Sequence, residues 1–157
     1  RRFLDIEISQ VSPTYYQQLL KYNRIVSQRN TLLKKIRENK EKPEMLDTWD
    51  EQLAIIGSQI VKKRQLTVKK LAMLANLMHR KITNSKENLT VIYQKNGIDD
   101  THIDNLAEQY RSKLIESRQN DIWRGSTCVG PHRDDLILSV NGINLRTFGS
   151  CLKISRT

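Results

Sequence analysis

The sequence predicts a mainly α chain with a small β portion: a long antiparallel, coiled-coil-like helical hairpin, a third helix and a β-hairpin. Three observations carry this. Two apolar seams at helical spacing occupy residues 12 to 82, with Pro43 between them. Asn141-Gly142 is flanked by two strand-like runs, the strongest short hairpin signal. The composition, 28% charged with only 6% aromatic residues, suits elongated helices with long solvated faces.

Phe3, Leu4, Ile6 and Ile8 fit a short helix or an entering strand, and the helix is favoured. Ser12-Pro13 starts the first long helix: the serine caps free N–H groups, and proline at the first position lacks only an N–H that needs no partner. Tyr15, Leu19, Tyr22, Val26, Leu33 and Ile36 fall at alternating steps of four and three, with Arg29 in the one polar slot, and so draw one seam. Lys34, Lys35 and Arg37 suit the negative end of the helix dipole near Glu38. Asn39 to Lys42 is a polar link, and Pro43 bars continuation of the same helix.

The second long helix starts near Pro43 and runs to about Thr83. Its seam is Leu46, Trp49, Leu53, Ile56 and Ile60, then Val61, Val68, Leu71, Ala75, Met78 and Ile82, with Arg64 in a polar slot. Gly57 is a weak point, about 1 kcal/mol worse than alanine in a helix, and a bend or a change of partner is expected there. Asn84 to Asn88 reads as a turn, and Leu89 to Tyr93, β-branched and aromatic, as a strand. A third helix is capped by Thr101 and carries Ile103, Leu106, Ala107, Tyr110 and Leu114 on one face. It runs to about Trp123 and ends at Gly125, which accepts the left-handed conformation. Asp135–Val140 and Ile143–Phe148 are the arms of the β-hairpin, which needs a larger sheet to be stable.

Net charge is +10 over 157 residues, a balance that favours an anionic partner or simply solubility. Between Gln52 and Lys86 there is no Asp or Glu. Lys62, Lys69 and Arg80 nearly coincide in azimuth at about 100° per residue, and Lys63, Lys70 and Lys81 form a second column one step round. The two columns are candidates for a DNA phosphate track; a solvated face neutralised by acids elsewhere is the plainer alternative. Leu66, Met73 and Leu77 lie between the columns and are expected in the core. Two cysteines in no paired spacing point to a reducing, cytoplasmic compartment rather than a disulfide framework, and neither a metal site nor a membrane span is expected. The chain opens at Arg1-Arg2 without Met and is read as a piece of a longer protein, whose targeting signals would fall outside it.

His132-Arg133-Asp134 spells the opening of a protein-kinase catalytic loop, but that loop needs an Asn five residues after its Asp, and position 139 is Ser139. No nucleophile or metal set accompanies the triplet, so no catalytic residue is assigned. A polar turn before a strand also accounts for it. The longer pattern is more specific. Gly125-x-Thr127-x-x-Gly130-Pro131-His132-Arg133-Asp134-Asp135-Leu136 is followed by the hairpin and Arg146-Thr147-Phe148-Gly149-Ser150. Upstream stand Arg2-Phe3-Leu4-Asp5, a helix from Gln17 through Gln28-Arg29-Asn30, and Asp47-Thr48-Trp49-Asp50-Glu51-Gln52-Leu53.

Together these resemble the RecF family of bacterial DNA replication and repair proteins, SMC-like ABC-type ATPases. The resemblance implies a split ATPase head interrupted by a helical arm: here residues 1–125 as arm with a short strand near 89–93, 126–150 as strands returning to the head, and 151–157 as a divergent tail. It implies ATP with Mg as cofactors of the full-length protein, an ATP-dependent homodimer, DNA together with RecR and RecO as partners, and a role in the SOS response to DNA damage, at gaps and in recombinase loading. Gly130 to Asp135 is then a family motif expected to stabilise the arm–head junction, and Ser150 the possible start of an ATP-contacting signature from which Cys151 to Thr157 departs. No Gly-x-x-x-x-Gly-Lys-Ser/Thr phosphate loop and no acidic Walker B strand end occur here, so the chain alone is not expected to hydrolyse ATP. From a different class, a coiled-coil protein-interaction module without DNA contact fits the same seams.

Overall fold

The computed structural model describes residues 1–96, 98 and 105–146. The elements in order are α1 (Arg2–Val11), α2 (Pro13–Arg37), a 3-10 turn (Pro43–Leu46), α3 (Asp47–Ile82), β1 (Leu89–Gln94), α4 (Leu106–Arg124), β2 (Asp135–Val140) and β3 (Ile143–Asn144). The N-terminal segment is therefore helical, and α1 buries Leu4 and Ile8. Ser12 caps α2 through Tyr15 N at 3.4 Å, with Pro13 at its first turn. The chain turns at Asn39, in the left-handed region at φ 57°, before Pro43 opens the short turn that leads into α3.

α2 and α3 pack as the predicted hairpin, and the seams are what they bury. Tyr15, Tyr22, Leu33 and Ile36 of α2 and Leu53, Ile56, Ile60, Val61 and Val68 of α3 are all buried. Each such side chain contributes about 1.5–3 kcal/mol by leaving water. α3 is continuous through Gly57. A Cβ on Gly57 would lie 3.3 Å from Pro131 Cδ and 3.4 Å from Tyr22 Cε2. The glycine admits the loop that follows α4 to the hairpin's surface.

Beyond Val68 the seam fades. Leu71 and Ala75 are half-buried, and Met78 and Ile82 are exposed. Leu66, Met73 and Leu77, expected in the core, are instead 55–70% exposed. The physical reason is that α3 outruns α2. On its last turns it lies against β1 and the turn before it, with the Leu89 N–H donating to Asn76 Oδ1 at 3.0 Å and His79 Nε2 2.9 Å from Glu87 Oε2, and the exposed positions fall on the other side of the helix.

β1, β2 and β3 form one antiparallel sheet with β2 central, Leu89 opposite Val140 and Gln94 opposite Asp135. Burial along β1 alternates, with Leu89, Val91 and Tyr93 half-buried, as a strand with one covered face requires. Asn141 and Gly142 make the hairpin turn at φ 49° and 80°, both positive as a two-residue turn demands. The second arm is shorter than expected. β3 is two residues long, and Leu145 and Arg146 already have helical backbone; Thr147 and Phe148 lie outside the described residues. α4 buries Leu106, Tyr110 and Leu114 and ends at Gly125 in the left-handed conformation, φ 65°. Its expected cap Thr101 and Ile103 lie outside the described residues, as do Ser150 and the tail from Cys151 to Thr157.

Candidate functional site

Two arginines, one per helix of the hairpin, occupy the polar slots of the seams, and the motif loop is built on them. Arg29 is fully buried. Its Nε donates to Asp50 Oδ1 at 2.7 Å, and Nη1 donates to Asp121 Oδ2 at 2.7 Å and to Thr127 Oγ1 at 2.9 Å. Asp50 also accepts from Arg118 Nε at 2.8 Å. Asp121 accepts from Ser117 Oγ at 3.1 Å and from the Cys128 N–H at 3.0 Å. α2, α3, α4 and the following loop thus meet at one guanidinium, whose planar fork suits two carboxylates at fixed angles.

Arg64 does the same at the other end of the loop. It is 1% exposed, pairs with Asp5 of α1 (Nε to Oδ1 2.9 Å, Nη2 to Oδ2 3.0 Å), and donates to the Pro131 carbonyl at 2.7 Å and Tyr93 Oη at 3.2 Å. Tyr15 Oη donates to Asp5 Oδ1 at 2.5 Å, so the entry helix is tied to the same centre.

Between these anchors the predicted motif residues come together. Gly130 has φ 129°. His132 Nε2 lies 3.0 Å from the Thr127 carbonyl and Nδ1 2.9 Å from Tyr22 Oη. A carbonyl only accepts, so Nε2 carries the proton and Nδ1 accepts from the tyrosine. Burial, with Arg133 and Arg1 nearby, lowers the His132 pKa to about 4, and the ring is neutral at pH 7. Arg133 is exposed and donates through Nε and Nη2 to the same Thr127 carbonyl at 3.2 and 3.1 Å. Asp134 is 3% exposed; it accepts from Tyr93 Oη and, at 2.9 Å, from the Asn96 N–H. Burial pushes its carboxyl above the usual range. Asp135 sits at the start of β2 and pairs with Arg146 Nη1 at 2.5 Å. Every polar group of His132 and Asp134 is thus engaged with the protein's own atoms, in a geometry that locks the loop to the hairpin.

This geometry sets a pH dependence. Between about pH 6.5 and 4 the unfolded chain protonates its His132 while the folded chain does not, so the unfolded state binds more protons and stability falls as pH falls. Asp134, raised by burial, contributes with the opposite sign and is common to wild type and variant. The His132→Gln chain is therefore expected to lose about 1–2 kcal/mol less than wild type between pH 7 and pH 5. Urea midpoints at the two pH values measure this, and parallel losses would show that the imidazole does not titrate as argued.

The six basic candidates lie apart from the motif. Lys62, Lys63, Lys69, Lys70, Arg80 and Lys81 are all exposed on α3, and among the described residues none has a carboxylate within ion-pair distance. Val68, Ala72, Ala75 and His79 are the partly or fully buried positions of the same turns. At about 100° per residue the two columns therefore flank the side of α3 turned away from the sheet, with the exposed Leu66, Met73 and Leu77 between them. Sequence reasoning missed the partners that hold the motif: Tyr22, Tyr93, Asn30, Thr127 and Asp121. Asn30 Oδ1 accepts from the Thr127 N–H at 2.7 Å. Their one advance signal was an arginine in each otherwise apolar seam. Among the described residues no group of three His, Cys, Asp or Glu is placed to hold a metal ion, and no helix is long and apolar enough to cross a membrane.

No family model matches the chain. The DNA replication and repair protein RecF of Halothermothrix orenii is 44% identical over 154 residues, which cover 96% of this chain and 41% of that protein. RecF of Alkaliphilus oremlandii is 46% identical over 152 residues, with the same shares, 96% and 41%. Among solved structures, the recombination mediator protein RecF with ATP, described in the RecFOR pathway, superposes with a TM-score of 0.86 at 35% identity, over 93% of this chain and 39% of that one. A second RecF structure, designated RecF-ATPrS, gives a TM-score of 0.87 at 35% identity, over 94% and 40%. The chain spans about two-fifths of the length of the relatives it matches. Along nearly its whole length the chain matches part of RecF, in sequence and in fold.

Proposed function

We propose that this chain is the helical arm, with its returning strands, of a RecF-type DNA replication and repair ATPase, and that α3 engages the DNA backbone through Lys62, Lys63, Lys69, Lys70, Arg80 and Lys81. The observation that carries the reading is the exposure of all six on the stretch of α3 after Glu51, which holds no Asp or Glu, each without a carboxylate partner among the described residues. From Lys62 to Lys81 they extend over about 28 Å at 1.5 Å per residue, the length of roughly eight base pairs at 3.4 Å each. In this reading residues 1–125 form the arm and 126–150 return to the head. The loop from Gly130 to Asp135 joins the two by holding both helices of the hairpin at once. Binding at gaps, cooperation with RecO and RecR in recombinase loading, and an ATP- and Mg-dependent dimer belong to the parent protein in the same proposal, as does its cytoplasmic location.

Salt tests it. If all six cations contact phosphates, log K should fall with log salt at a slope of about −5, a loss of roughly a thousandfold between 50 and 200 mM. Replacing the six by glutamine should flatten the slope and leave weak residual binding, as read by anisotropy with a labelled gapped duplex. A shallow slope in the wild-type chain would sink the reading. A second reading, a protein-interaction module, draws on the exposure of Leu66, Met73 and Leu77 between the columns; an apolar interface of that kind would respond little to salt.

A further inference from the structure

The end of the molecule opposite the α3 columns holds a feature that neither the hairpin nor the motif uses. Trp123, on the last turn of α4, is 73% exposed, although aromatic side chains usually bury most of their area. It is set among cations. Arg37 Nη1 donates to the Trp123 carbonyl at 3.2 Å. The Lys34 side chain crosses Gly125 so closely that a Cβ there would meet Lys34 Cγ at 3.0 Å. Arg124, with Nε held by Asn120 Oδ1 at 3.1 Å, is exposed beside it. The carboxylates on the same turns are already engaged, Glu38 with Lys40 and Asp121 with Arg29.

An open indole with three cations on adjoining turns, each lacking a carboxylate partner among the described residues, suits a base stacked on the ring with flanking phosphates neutralised. We propose that Trp123, with Lys34, Arg37 and Arg124, is a second nucleic-acid contact, and that its ligand is single-stranded. Paired bases are stacked within a duplex and offer no free face to the indole. The proposal rests on the reading of the chain as DNA-binding and adds a strand preference that the α3 columns alone do not supply.

The chain has two tryptophans, and Trp49 is packed against both apolar clusters, so an accessible quencher reports chiefly on Trp123. Titration of the 157-residue chain with an oligothymidylate should quench its emission saturably. Trp123→Ala should weaken oligothymidylate binding by roughly tenfold or more, as removal of a stacking aromatic does. Trp123→Phe should retain most of it, and binding to a blunt duplex should be unchanged in both variants, with helical content checked by circular dichroism. Equal oligothymidylate affinity in Trp123→Ala, or emission that stays unmoved at saturation, would overturn the proposal. So would emission that ignores the oligonucleotide but shifts with protein concentration, which would mark Trp123 as a protein contact. Duplex binding that survives any of these outcomes leaves the α3 track standing, whereas failure to bind either nucleic acid removes both.

Discussion

Replacing Arg29 by methionine is expected to destabilise the chain by about 3–5 kcal/mol, the cost of removing one partner from a buried, hydrogen-bonded ion group. The argument is one of charge left behind. Asp50 is 1% and Asp121 0% exposed, and both point at the guanidinium from 2.7 Å. Asp50 keeps Arg118. Among the described residues Asp121 keeps two neutral donors, Ser117 and the Cys128 N–H, which do not compensate a carboxylate withdrawn from water. Methionine fills much of the vacated volume, so the loss reports electrostatics rather than a cavity. Arg29→Lys should recover little, because one ammonium does not span two carboxylates and a hydroxyl set by a planar fork. Pairing Arg29→Met with Asp121→Leu should restore part of the loss, since an apolar replacement of both partners can approach neutrality; the coupling is read from a double-mutant cycle in urea. A single-mutant loss below about 1 kcal/mol would mean that water reaches the group and that the network is not what fixes α4 to the hairpin.

The same arginine shows how far the sequence could be read. The seam of α2 was visible because helical periodicity is a local property, and the residue interrupting it was visible as a polar slot. What fills a polar slot is not local. Asp50 lies 21 positions away and Thr127 98, and no spacing rule connects them. Gly125 and Asn141-Gly142 were legible because positive φ has few chemical solutions. Leu66, Met73 and Leu77 were misplaced for the converse reason: periodicity tells which residues share a side of a helix, not whether anything covers that side. The six basic side chains stand out from charge together with helical azimuth, and their exposure leaves the phosphate track a proposal. The motif was found by resemblance, and its contacts, His132 to Tyr22 and Asp134 to Tyr93, show that its polarity is spent on holding the loop in place. A helix-terminal tryptophan such as Trp123 looks the same in sequence whether buried or open, and only the fold shows it exposed.

Gly130→Ala is expected to be at least as damaging as the loss of a core side chain, about 3 kcal/mol or more. Two independent terms add. At φ 129° an L-residue pays backbone strain that glycine does not. The new Cβ would also overlap the Tyr22 hydroxyl oxygen and stand 3.2 Å from His132 Nδ1, so it would wedge apart the hydrogen bond that seats the loop on α2. Tyr22 cannot simply swing aside: its ring is 2% exposed and packed in the main apolar cluster. The two terms separate experimentally. In a Tyr22→Phe background the Gly130→Ala cost should fall, because the hydroxyl that the methyl strikes is gone, while the backbone strain remains. Because the loop joins Arg29 to Arg64 through Thr127 and Pro131, displacement at Gly130 should also loosen α4 from the hairpin. Hydrogen exchange should then rise first in residues 121–134 and in the α4 turns around Leu114, ahead of the α2–α3 seam. If Gly130→Ala lowers stability by less than about 1 kcal/mol and exchange rises evenly along the chain, the loop is a passenger on the hairpin rather than its fastening, and the assignment of Gly130 to Asp134 as the joint between arm and sheet is wrong.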